Sequence, residues 1–185
     1  MLATLAGLVF VALAVAWWFS GRWAAGAVTS AVERRDLGAL VNRLDASRVK
    51  ESAAEDWAEL VPKNFKLPGV DAVADDVRSA LIVGIRNVNV DTPTLADMLG
   101  HLLAGQGLVT SPTLTKLPKV LTANRTPSYS YAAGNSSDVY FMKASFAETG
   151  EQVIVTLERR GWFTWRVVRV QVNSGSALWP VRVQR

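Results

Sequence analysis

The chain has 185 residues, no cysteine, one histidine and a net charge of +4. Without cysteine there can be no disulfide framework, thiolate metal centre, cysteine nucleophile or lipoprotein-style acylation of an N-terminal cysteine. The positive excess sits at one end: residues 1–150 carry fourteen basic and fourteen acidic side chains, whereas 151–185 hold six Arg against Glu151 and Glu158.

The first charged side chain is Arg22, and the residues before it are almost wholly apolar. At about 1.5 Å per residue, a helix over 1–19 reaches roughly 28 Å, close to the ~30 Å hydrocarbon core of a bilayer. The segment 1–22 therefore reads as a single-pass membrane anchor. Trp17, Trp18, Phe19, Arg22 and Trp23 would lie at its interfacial end, a depth that amphipathic rings prefer. Ala14-Val15-Ala16 also resembles the small-x-small site of a cleaved signal peptide, but no Lys or Arg precedes the apolar run. Arg22, Arg34 and Arg35 follow the span, so counting charges points the domain toward the cytoplasm. Ala3 with Gly7, and Ala12 with Ala16, are spaced to let another helix approach.

Past Gly21, residues Ala27, Ala31, Val32, Leu37, Leu40, Val41 and Leu44 recur at three and four, the pattern of a second amphipathic helix. Gly21, Gly26 and Gly38, each costing about 1 kcal/mol relative to Ala, predict a bend or break between anchor and domain. A helix over 46–61 should stop at Pro62, followed by a loop over 63–69. The stretch 70–90 reads as helix turning to strand. Asp91-Thr92-Pro93 is a helix start with Pro93 at the first helical position, and Leu95, Met98, Leu99, Leu102 and Leu103 continue it to Gly105. Residues 108–127 read as a long loop or irregular edge strand.

The period then becomes two. Tyr140, Met142, Ala144 and Phe146 share one face, as do Val153, Val155 and Leu157, and a further strand covers 165–172. Turns at 148–151 and 159–161 make these a meander, and Tyr129 with Tyr131 begins one more strand. The expected class is α+β, with helices packed on one face of an antiparallel sheet of about four strands. The soluble domain would occupy 23–173 and a tail 174–185.

Three segments resemble an uncharacterised family of bacterial membrane-anchored domains catalogued as domain of unknown function 2939. They are Ala31-Val32-Glu33-Arg34-Arg35-Asp36-Leu37-Gly38-Ala39-Leu40 running on to Leu44-Asp45, Thr92-Pro93-Thr94-Leu95 with Leu99, and Leu157-Glu158-Arg159 with Trp165-Arg166-Val167-Val168. The resemblance implies an N-terminal anchor in a bacterial inner membrane and an exported, periplasmic α+β domain, against the orientation that charge counting gives. It implies no activity.

Few residues offer chemistry. His101 and Asp97, four apart, would share a helix face and form a dyad only if a cleft lay beside them. Asp71, Asp75 and Asp76 suit a helix N-terminus as well as a cation. Gly105-Gln106-Gly107 lacks the features of a phosphate loop. Arg166 and Arg169, an odd number apart along one strand, point to opposite faces and build no phosphate-tracking stripe, so nucleic acid is not an expected partner. Trp162 and Phe163 fall in a tight turn, where rings are exposed and suited to a partner or the bilayer surface; Trp179 in the tail is a further candidate contact. The reading is a non-enzymatic, membrane-tethered interaction domain without cofactor or metal. Its partners would be the lipid bilayer and another membrane protein, to which it would serve as an accessory or assembly subunit. The alternative is a domain binding a small apolar or lipid-like ligand in a cavity between sheet and helices.

Overall fold

A single helix, α1, runs from Leu2 to Glu33 and passes through Gly21 and Gly26 without interruption. The computed structural model describes residues 2–64, 83–84, 86–105 and 125–173. The bend expected between anchor and domain is absent because tertiary packing overrides glycine's weak helix propensity. From Ser20 onward the helix is the core helix of the domain, burying Ala24, Ala25, Val28, Ala31 and Val32 on one stripe. At Gly21 the lack of a side chain is required. A Cβ there would stand 2.8 Å from Tyr140 Cδ2 and 3.1 Å from Trp165 Cζ2.

The helix pattern expected to continue to Leu44 breaks at 34–36. Arg35 adopts φ 54°, a left-handed conformation that costs a non-glycine residue roughly 1–2 kcal/mol. Asp36 then caps a short helix, α2 (Leu37–Val41), its Oδ1 accepting from the Ala39 N–H at 2.9 Å. The apolar spacing survives the break because α1 and α2 face the same core, where Leu40 and Leu44 are also buried. Residues 43–45 then run beside the last strand of the sheet: the Val167 N–H donates to the Arg43 carbonyl at 2.7 Å, and the Asp45 N–H to the Val167 carbonyl at 2.9 Å.

Helix α3 (Ala46–Asn64) follows, and runs past Pro62 where the sequence predicts a stop. Ser52 Oγ donates to the Val168 carbonyl at 3.2 Å and Asp56 pairs with Arg169, so α3 is fastened along β4 and shields that edge of the sheet. The loop expected over 63–69 falls largely, and the first part of the 70–90 stretch wholly, outside the described residues. Residues 83–84 and 86–87 are helical and 88–90 irregular, in place of the expected strand. Helix α4 (Thr92–Leu103) starts as expected: Asp91 is its cap, accepting from the Thr94 N–H at 3.0 Å. Pro93 takes the second rather than the first helical position, where an N–H is equally unneeded. Ala96, Leu99 and Leu103 are buried, and Gly105 ends the helix with φ 69°.

Four strands, β1 (Pro127–Ala133), β2 (Val139–Phe146), β3 (Gln152–Arg159) and β4 (Trp165–Asn173), pair antiparallel in chain order. The class is α+β, as expected. The inner face carries Met142, Ala144, Phe146, Val153, Val155, Leu157, Trp165 and Val167, which form one buried cluster with α1, α2 and α4. A bulge interrupts the ladder: Leu157 pairs with Val167 but Thr156 with Arg169, leaving Val168 as the extra residue. This corrects the face assigned to two arginines. Arg166 lies opposite Glu158 and Arg169 opposite Thr156, so the odd spacing places both on the same, outer face. Both are engaged there, Arg166 by the Asn42 carbonyl and Arg169 by Asp56.

Candidate membrane-facing site

The two ends of the sheet differ in chemistry. At one end the β2–β3 turn lies beside a buried ion pair between Arg125 and Glu151, and Arg125 also donates to Thr149 Oγ1 at 3.0 Å. At the other end lie the β1–β2 turn, the β3–β4 turn and the point where α1 enters the domain. Here the sequence-predicted aromatic residues gather.

Arg159 organises this second end. Its side chain is only 7 % exposed, and its guanidinium lies over the rings of Trp17, 4.0 Å from the centroid, and Trp165, at 4.5 Å. It donates to three carbonyls, those of Trp162 at 2.9 Å, Ser137 at 3.2 Å and Trp17 at 3.3 Å. Each comes from a different segment. Its Nε lies 3.3 Å from Asp138 Oδ1, and burial draws its pKa below the usual arginine value, which leaves it a cation at any physiological pH. A short relay reinforces the junction: Trp165 Nε1–H donates to Ser20 Oγ at 3.0 Å, and Ser20 donates to the Trp17 carbonyl at 2.7 Å. Tyr140 meets Trp165 edge to face. One cation and one hydroxyl thus lock α1 to both neighbouring turns.

The expected interfacial residues divide by helix face. Trp17 faces the domain beneath Arg159, whereas Trp18 (73 % exposed), Phe19, Arg22 and Trp23 (60 % exposed) point away from it. N-terminal to them, Leu8, Val9, Phe10, Val11, Leu13 and Val15 are all exposed. The helical stretch Ala6–Glu33 is long and apolar enough to cross a membrane. In the β3–β4 turn Trp162 is 74 % and Phe163 48 % exposed, and the Arg160 N–H closes the turn on the Thr164 carbonyl at 2.8 Å. Trp179 lies outside the described residues. Arg159, the residue that joins these parts, stood out in the sequence only as the start of a turn and as part of the Leu157-Glu158-Arg159 resemblance, neither of which points to its partners.

Elsewhere, His101 Nδ1 lies 2.8 Å from the Asp97 backbone carbonyl, so this nitrogen donates to the ring's own helix; the Asp97 carboxylate is 3.4 Å away. Asp71, Asp75 and Asp76 fall outside the described residues. Among those described, no three His, Cys, Asp or Glu side chains group as metal ligands. No family model matches the chain, and neither does any curated protein or solved structure.

Proposed function

We propose that the protein is a single-pass, membrane-tethered interaction domain that holds a membrane-protein partner at the bilayer surface as an accessory or assembly subunit. The observation that carries this reading is α1, which exposes apolar side chains as far as Phe19 and becomes the buried core helix at Ser20 without a break. Water-exposed apolar surface of that extent is unfavourable by about 25 cal/mol per Å², and lipid removes the penalty. Because span and core are one helix, the domain is held at a set angle to its span rather than on a flexible leash. That geometry suits presentation of a docking surface. The resemblance in the Arg34–Asp36, Thr92–Leu95 and Trp165–Val168 segments supports placing the span in a bacterial inner membrane with the domain exported to the periplasm.

Gentle detergent extraction followed by sizing tests the reading. A stoichiometric complex with another membrane protein is expected, and it should persist through washing. A lone monomer under the mildest extraction would count decisively against an accessory role. Replacing residues 2–15 with an unrelated apolar span separates the two docking modes: association that survives the exchange lies with the domain, and association that is lost lies with the span.

A further inference from the structure

Trp162 and Phe163 are large apolar rings displayed to solvent at the tip of a turn whose closing hydrogen bond uses neither ring. What they meet follows from where the turn is fastened. Arg159 donates to the Trp162 carbonyl through Nη1 and to the Trp17 carbonyl through Nη2, so turn and helix stand a single guanidinium apart. No polar linker separates the apolar part of α1 from this level. Leu13, Val15, Trp18 and Phe19 are exposed right up to Ser20, where burial begins. Lipid that covers these side chains reaches the level of Trp17, and therefore the turn beside it.

From this juxtaposition we infer that the β3–β4 turn is a second membrane contact, with the Trp162 and Phe163 rings seated in the headgroup and upper acyl region of the bilayer that holds α1. Interfacial depth suits an indole, which has an apolar body and one N–H to satisfy. Charge does not drive the contact. Arg160 at the turn pairs with Asp45 at 3.2 Å and Glu158 at 3.4 Å, and Arg159 pairs with Asp138 within the fold, so a zwitterionic lipid surface is sufficient. The inference rests on α1 being inserted in the bilayer.

The cysteine-free chain allows a direct test with a single introduced label. In Gly161→Cys the new Cβ meets only Thr164, at an ordinary 3.6 Å. Glu148→Cys places the same fluorophore in the exposed β2–β3 turn, at the opposite end of the sheet. Each full-length variant is reconstituted into phosphatidylcholine vesicles containing a headgroup-proximal nitroxide lipid. Quenching several-fold stronger at position 161 than at 148 is expected, and adding W162S/F163S should release most of it while the circular dichroism stays unchanged. Co-flotation with vesicles but equal quenching at the two positions would overturn the contact alone. Undiminished quenching in W162S/F163S would likewise overturn it, because the rings would then not be what holds the turn at the surface. Failure to float with the vesicles would overturn the tether, and the contact with it.

Discussion

Two glycines in α1 show how the same residue type can carry opposite consequences one and a half turns apart. Gly21 lies under the Tyr140 and Trp165 rings with no room for a Cβ, whereas a Cβ at Gly26 meets nothing within 4 Å. Gly21→Val should therefore lower stability by about 1–3 kcal/mol through overpacking, and Gly26→Ala should raise it by up to about 1 kcal/mol through helix propensity. Urea unfolding of the detergent-solubilised chain checks both signs. Tyr129 offers a different measurement. Its hydroxyl donates to the Leu103 carbonyl at 2.9 Å, tying β1 to the end of α4. Burial, and then the nearby Glu33 carboxylate, push its pKa from 10.0 up to about 12. The folded-state value lies above the unfolded one, so this contribution is complete below the unfolded pKa of 10.0 and is lost as pH rises toward about 12. Tyr129→Phe should cost about 1 kcal/mol at neutral pH and flatten the decline of the unfolding midpoint across that alkaline window.

At the scale of elements, α1 is one helix with two surroundings, exposed and apolar as far as Phe19 and packed into the core from Ser20. Side chains 6–15 are exposed and one stripe of those from Ser20 to Val32 builds the core, so removal of residues 2–15 should leave a cooperatively folded, water-soluble domain. Removal of residues 2–27 should abolish folding, because it takes away Ala24, Ala25 and the Ser20 to Trp165 hydrogen bond. Cooperative thermal unfolding followed by circular dichroism distinguishes the two. A cut at Arg22, where charge first appears in the chain, falls inside the folded unit. Charge marks where water is tolerated, whereas full burial starts at Ser20 and contact with the domain already at Trp17. The strands and α4 were legible because period two, the Asp91 cap and Gly105 are local signals. Three features depended on distant partners and were not. Continuity through Gly21 and Gly26 depends on the sheet, the break at Arg35 on α2 turning back to the core, and the bulge at Val168 on α3 lying against β4. The exposed Trp162 and Phe163 could be anticipated from their turn, but their nearness to Trp17 depends on Arg159 reaching across three segments.

At the scale of the whole molecule, the sheet has a polar end built on Arg125 and Glu151 and an aromatic end built on Arg159, with α1 emerging from the latter. This asymmetry gives the domain a top and a bottom. The proposed tether and the proposed hairpin contact share the bottom, so the proposed protein partner would be left the top and the flanks. The outer face of the sheet, where Arg166 and Arg169 are already engaged, is one such flank.

With α1 inserted as proposed, its continuity would also make the domain a reporter of bilayer thickness. A membrane helix accommodates a thinner or thicker hydrocarbon layer mainly by changing its tilt, which averages about 20°. With Ser20, Trp165 and Arg159 fastening that helix to the sheet, no joint remains at which the change could be absorbed. The four strands would then lean through the same angle as the span, pressing the Trp162 turn toward the lipid on one side or lifting it on the other.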